Sequence, residues 1–253
     1  MKEQIEVLTE QLRYEVLERI LANGYRDKLW MKKRIETERV EPGLVFYPAK
    51  NNQKEMLGAL RELFLPETME VKNLPIALEN KNRILLEFER EKYHIPFFIE
   101  VKPYKEILLH PAEETFEKLT YLRFPTEEYL AQGFYEIVDK LELLNDLSWY
   151  KEIYDILLTE TIDGRRVRDC FGRLLERKAI PSLEKRLDTI KGYADYGYMK
   201  KKWKNEKKRQ SGAFPEWKDV ISLLVTFFSP IYDAVIRDEV FFEDWMPQLG
   251  RYL

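Results

Sequence analysis

The spacing of hydrophobic and polar residues changes near Lys105. Before this point, short apolar runs predict strands among two amphipathic helices. The predicted helices cover residues 3–22 and 54–65, and the predicted strands cover 44–47, 69–77, 83–90 and 95–101. After Lys105, apolar residues recur at helical spacing, with helices predicted over 127–144, 149–158, 165–178, 182–190 and 216–236. We therefore predict an α+β fold, with a small mixed sheet in residues 1–104 and a helical lobe in residues 105–253.

Short polar signals mark where several of these helices begin and end. Asn23-Gly24 follows the first helix as a C-terminal cap does. Thr126 is a good N-cap for the helix after it, and two glutamates favour its positive end. Asp163-Gly164 opens the helix that follows. The motifs of the second half of the chain therefore fall on predicted helices and on the loops between them.

Composition fits a globular protein, with 45% hydrophobic and 13% aromatic residues. We find no apolar run that reaches the roughly 18 residues of a membrane span, and the start MKEQIEVLTEQL is unlike a signal peptide. The single Cys170 forms no internal disulfide and fits a reducing compartment. We therefore expect a cytoplasmic protein without membrane contact. The net charge of −3 neither supports nor excludes a nucleic-acid partner.

An ordered series of motifs runs from Arg123 to Pro181. It reads RFPTEEYLAQG, then a Leu-rich turn ending in Asn, then WYKEIYDIL, an Asp-Gly loop and ERKAIP; a basic Trp-containing segment and FPEWKDVISLLVTFFSPIYDAVI follow. Over about Phe124 to Ile236 this series resembles the abortive-infection, nucleotidyltransferase-like toxins (the AbiEii/AbiGii group). The resemblance implies a nucleotidyltransferase-like sheet before a helical lobe, action on nucleotides or on RNA of the tRNA class, and an antitoxin as protein partner.

The residues that this family uses for catalysis are largely missing. Nucleotidyl transfer needs two carboxylates on one face of a strand to hold a divalent metal, and a Gly-rich turn. The chain contains no Asp-x-Asp, Gly-Gly or Gly-Ser. Glu36 and Glu38 are the nearest substitute, with a solvent-facing strand edge as the alternative reading. Glu100, in PFFIEVKPY, is the candidate third carboxylate, and its alternative is a side chain that points to solvent.

The helical lobe keeps part of the family pattern. Gly133 stands where the resemblance implies a phosphate-binding lysine. Lys151 and Asp155 are retained and share one helix face, where they form either part of a catalytic site or an ordinary ion pair. We therefore predict a degenerate nucleotidyltransferase. Any remaining activity would use Glu36, Glu38, Glu100, Lys151 and Asp155 and would require Mg²⁺, and no residue is assigned as a permanent metal ligand.

A basic segment offers the alternative function, a catalytically dead module that binds nucleic acid or a protein. Seven positive charges fall within residues 200–209. The candidate nucleic-acid-binding residues are Lys200, Lys201, Lys202, Trp203, Lys204, Lys207, Lys208 and Arg209, widened by Arg165 and Arg168. Tyr193, Tyr196 and Tyr198 precede them, and cations beside aromatics suit a nucleic-acid backbone with stacked bases. The alternatives are a solvated loop and an interface for an acidic partner.

The sequence motifs of several other kinds of site are absent or weak. His94 and His110 are far apart in pattern, and no Cys-x-x-Cys is present, so a zinc site is unsupported. Cys170, in DCFGRLL, fits core packing better than a nucleophile. There is no Walker-type loop or dinucleotide fingerprint.

Overall fold

The computed structural model describes residues 2–32, 43–64, 82–90, 92–104, 107–208 and 214–253. They form two compact units, Met1–Pro125 and Thr126–Leu253. The boundary lies later than the predicted 104/105, because two strands that we had included in the helical lobe complete the sheet of the first unit. The predicted α+β class with a mixed sheet and a largely helical second half is confirmed.

The first unit is a mixed sheet with two helices. The helices are α1 (Lys2–Ala22) and α2 (Gln53–Phe64), and the strands are β1 (Leu29–Met31), β2 (Gly43–Pro48), β3 (Arg83–Arg90), β4 (Tyr93–Val101), β5 (Ala112–Phe116) and β6 (Leu119–Arg123). Their order across the sheet is β3-β4-β2-β1-β6-β5. Pairs β1–β2, β3–β4 and β5–β6 are antiparallel, whereas β2–β4 and β1–β6 are parallel. The strand predicted over 69–77 lies outside the described residues.

Alternation along β3 sets the core of this unit. Ile84, Leu86 and Phe88 are buried, and they pack in one cluster with apolar residues of α1, α2, β2 and β4. Gly24 follows α1 with a φ of 78°, a left-handed conformation that glycine adopts without steric cost. The predicted C-terminal cap of α1 is thus confirmed.

The second unit is a helical bundle with a small sheet at one side. Its helices are α3 (Thr126–Lys140), α4 (Ser148–Thr159), α5 (Gly164–Arg177), α6 (Leu183–Gly192), α7 (Gly197–Lys207) and α8 (Trp217–Ile236), with a 3₁₀ turn at Leu141–Leu143. Strands β7 (Ile162–Asp163), β8 (Asp244–Met246) and β9 (Arg251–Tyr252) form the sheet. The Asp163 carboxylate accepts a hydrogen bond from the Arg166 backbone N–H at 3.0 Å, which confirms the predicted cap of α5.

Helix α8 is the central element of this unit. By length and composition it could cross a membrane, contrary to our expectation that no segment would reach that length. However, it packs against α4, α5 and α6, and the ring of Phe228 stacks on that of Phe134 at 3.7 Å. Pro230 lies within the helix without ending it. Burial of this kind is what a core helix of a soluble protein shows, and it is consistent with the expected absence of membrane contact.

Candidate functional site

Glu100, the candidate third carboxylate, is buried and paired. Its side chain is 10% exposed, so the reading in which it points to solvent is wrong. Arg83 lies opposite it in the β3–β4 register, and both Nε and Nη2 of Arg83 are 2.8 Å from Oε2 of Glu100. The guanidinium also lies 4.5 Å from the centroid of the Phe98 ring. The carboxylate is therefore neutralised by an arginine on the neighbouring strand.

Strand β2 provides no acidic partner for Glu100. Val45 lies opposite Glu100 in the parallel β2–β4 pair, and Gly43 lies opposite Phe98. Side chains two residues apart share a sheet face, so carboxylates beside Glu100 would have to stand at 43, 45 or 47. These positions hold Gly43, Val45 and Tyr47. A Cβ on Gly43 would lie 2.6 Å from the Phe98 carbonyl oxygen, so no side chain fits there without movement of the strands.

A metal cluster would need further residues. Within the ranges that the structure describes, no group of three His, Cys, Asp or Glu residues could hold a metal ion. Glu36 and Glu38 lie outside the described residues, so the metal pair stays a prediction.

The Arg83–Glu100 pair leads to a stability prediction. Glu100→Gln keeps the shape of the side chain and removes the charge that Arg83 meets. We expect the free energy of unfolding to fall by about 1 kcal/mol, below the value of a fully buried pair because Arg83 is partly exposed. Urea denaturation measures this change, and Glu62→Gln on the exposed face of α2 is the matched control. A more stable Glu100→Gln variant that loses a Mg²⁺-induced rise in melting temperature would instead indicate a metal ligand.

The packing of α3 on α4 explains the glycine at the implied phosphate-lysine position. A Cβ on Gly133 would lie 2.4 Å from Cε3 of Trp149. The indole of Trp149 also packs against the ring of Tyr129, whose centroid is 4.8 Å away. A lysine cannot enter this contact without displacing Trp149. Gly133 is therefore a packing residue.

The retained polar residues of α4 are engaged with near neighbours. Nζ of Lys151 lies 2.6 Å from Oδ2 of Asp155, one helical turn away. The Tyr129 hydroxyl donates a hydrogen bond to the Glu152 carboxylate. Lys151 and Asp155 thus have the geometry of a helical ion pair, and a catalytic role for them stays a prediction.

The basic segment is an ordered helix, α7, and the aromatic residue at its centre is part of the core. Trp203 is 3% exposed, with its ring 4.5 Å from that of Phe214 and 5.1 Å from that of Trp217. Its Nε1–H donates to the Pro215 carbonyl at 3.0 Å. The prediction that Trp203 stacks on nucleic-acid bases is therefore wrong, because the indole faces inward.

The lysines of α7 and of its C-cap, Lys208, fall into three groups by their contacts. Lys202 donates to the carbonyls of Glu142 and Leu144, at 3.0 and 2.7 Å, and so holds α7 to the 3₁₀ turn. Lys200 and Lys207 pair with the carboxylates of neighbouring loop residues, Asp195 and Glu216. The third group of cations is exposed and has no ion pair among the described residues; it consists of Lys201, Lys204 and Lys208. Arg209 lies outside the described residues.

These three residues form one surface, which we call the outer lysine row (Lys201, Lys204 and Lys208). Their spacing of three and four residues places them on one helix face. Met199 and Trp203 are buried on the opposite face. The cations of the row therefore point away from the core.

Arg165 and Arg168 do not extend the outer lysine row. Arg165 lies over the Phe242 ring, and Arg168 pairs with Asp238 at 3.1 Å, just after the C-terminus of α8. Trp203 of α7 instead packs on Trp217, the first residue of α8. A helix of 20 residues is roughly 30 Å long, so the two basic groups lie at opposite ends of α8. The prediction of one widened surface is wrong.

Cys170 is not a nucleophile in this fold. The side chain is buried in α5, and burial raises the pKa of its thiol to about 12. A thiol with that pKa is protonated at neutral pH and reacts poorly. The expectation of core packing is confirmed.

Comparison with protein-family models, curated proteins and solved structures gives no match to this chain. The resemblance to abortive-infection toxins therefore stays a prediction.

Proposed function

We propose that this chain is a nucleotidyltransferase-like protein of the abortive-infection toxin family that has lost catalysis and binds RNA through α7. The observation that carries the proposal is the outer lysine row, three exposed cations on one face of α7 and its C-cap residue. The family assignment, the tRNA class of RNA, the antitoxin partner and the cytoplasmic location are parts of the same proposal.

The loss of catalysis is supported by the surroundings of Glu100. A carboxylate that binds Mg²⁺ must offer its oxygens to the ion, and metal sites of this type combine several carboxylates. Oε2 of Glu100 is instead occupied by Arg83. The adjacent positions Gly43 and Val45 provide no second oxygen ligand.

RNA binding is supported by the charge arrangement on α7. Like charges three or four residues apart on a helix repel one another and destabilise it slightly. A polyanion removes this repulsion and releases counterions, which makes phosphate contacts favourable and salt-dependent. Trp203 and Lys202 fix the helix to the rest of the unit, so the row is presented by a rigid element.

The outer lysine row gives a quantitative prediction. The variant Lys201→Ala/Lys204→Ala/Lys208→Ala should bind RNA more weakly than the wild type. If each lysine contacts one phosphate, the slope of log affinity against log salt should become shallower by roughly 2 to 3. Fluorescence anisotropy with labelled RNA across a salt series measures both quantities.

A matched control variant removes three positive charges from other parts of the surface. Lys54, Lys118 and Lys185 are exposed and have no ion pair among the described residues, so their triple replacement by Ala is the control. The control should keep the wild-type slope. Equal slopes for all three proteins would exclude the outer lysine row as the binding surface.

The catalytic alternative has its own test. The protein is incubated with labelled nucleoside triphosphates, Mg²⁺ or Mn²⁺ and total RNA. We expect no label transfer. Transfer that disappears in Glu36→Ala/Glu38→Ala would replace our proposal with a working nucleotidyltransferase.

A further inference from the structure

Two tyrosines beside the outer lysine row have unusually exposed rings. Tyr196 and Tyr198 are 47% and 50% exposed, whereas the nearby Tyr193 is buried. Tyr193 uses its hydroxyl to donate to the Glu142 carboxylate at 2.9 Å, and burial raises its pKa. Of the three tyrosines that precede the basic segment, Tyr193 thus belongs to the core and the other two to the surface.

Both exposed rings lie close to neighbouring side chains. The Tyr196 ring is 6.1 Å from the Tyr193 ring at an interplanar angle of 25°. Nζ of Lys202 lies 5.4 Å from the centroid of Tyr198, and the Tyr196 and Tyr198 rings are 6.0 Å apart. Each tyrosine thus has a neighbouring ring or cation beside it and is still about half exposed to solvent.

The rings and the cations are continuous along α7. Tyr198 precedes Lys201 by three residues, so the two side chains are neighbours on the helix surface. From Tyr198 to Lys208 the helix rises roughly 15 Å. One side of α7 thus presents aromatic surface at its N-terminal end and three exposed ammonium groups after it.

We infer that this surface selects single-stranded RNA, with unpaired bases stacked on Tyr196 and Tyr198 and phosphates on the outer lysine row. The inference rests on the proposed RNA binding and specifies its substrate. In a duplex the bases stack on one another and cannot reach a protein ring, whereas those of a single strand can. Stacking requires only the π face of a base, so we expect little sequence preference.

The test compares two tyrosine variants on two probes. Tyr196→Leu/Tyr198→Leu removes the rings, and Tyr196→Phe/Tyr198→Phe keeps them while removing the hydroxyls. The probes are a short single-stranded oligouridine and a blunt RNA duplex of the same length, each titrated at fixed salt. We expect the leucine variant to bind the single strand at least about fivefold more weakly, as loss of one stacked base predicts. Its affinity for the duplex and the affinities of the phenylalanine variant should match the wild type.

The outcomes separate this inference from the proposed function. If the leucine variant keeps its affinity for the single strand, or loses equal affinity for both probes, the stacking model is wrong while the lysine result stands. If the wild type prefers the duplex, single-strand selection is wrong. If the wild type binds neither probe, this inference fails; if it does not bind a tRNA either, the proposed function fails as well.

Discussion

Replacing Trp203 with alanine is expected to lower the free energy of unfolding of the second unit by about 3–5 kcal/mol. The indole is buried between Phe214 and Trp217, so its removal leaves a cavity at the start of α8. The Pro215 carbonyl also loses the hydrogen bond from Nε1. Chemical denaturation followed by tryptophan fluorescence and far-UV circular dichroism measures the loss.

The same substitution separates two roles for an aromatic residue in a basic segment. If Trp203 packs in the core, the folded fraction of Trp203→Ala should still present the outer lysine row and bind RNA. Trp203→Phe should lose less stability, because it keeps a ring and forfeits chiefly the Nε1 hydrogen bond. A fully stable Trp203→Ala variant with reduced RNA affinity would restore the stacking role that the sequence predicted.

Much of the helical half could be predicted because its ends are coded locally. Thr126 and Asp163 were predicted to mark the starts of α3 and α5, and the structure begins these helices within one residue of them. Helix α7 was missed because its only buried residues are Met199 and Trp203, too few for an apolar stripe.

Several strands could not be predicted, since pairing with distant residues defines them. Strand β5 alternates half-buried and exposed residues in AEETF and has no fully buried position. Strands β7, β8 and β9 have two or three residues each, below the length at which alternation is informative. Their pairing brings together residues 162–163, 244–246 and 251–252.

The candidate site was only partly predictable for the same reason. Glu100 was identified as an unusual carboxylate in an apolar strand, but its partner Arg83 follows from the β3–β4 register. The lysines of residues 200–208 were all identified, but only their contacts in the structure show which of them are exposed without an ion pair among the described residues. Spacing indicates which residues can share a face, and packing decides which face is exposed.

Gly133→Lys should destabilise the second unit by about 3 kcal/mol and should not restore catalysis. The resemblance implies a phosphate-binding lysine here, but the space for a side chain is filled by Trp149. Overpacking a well-filled contact costs about 1–3 kcal/mol and more for a long side chain, which exceeds the roughly 1 kcal/mol gained when glycine leaves a helix. Thermal denaturation and the labelled-nucleotide assay measure the two outcomes.

Alanine substitutions at Gly133 and at a control glycine show whether adding even a single methyl group raises or lowers the free energy of unfolding. Gly172 in α5 has no atom within 4 Å of its hypothetical Cβ, so Gly172→Ala should stabilise the protein by about 0.5–1 kcal/mol. Gly133→Ala should destabilise it, because the new methyl group meets Trp149. In a Trp149→Leu background the cost of Gly133→Ala should shrink or reverse, which a double-mutant cycle reports as coupling. If Gly133→Ala stabilises as much as Gly172→Ala, the contact with Trp149 does not explain the glycine, and loss of the lysine would need a cause other than packing.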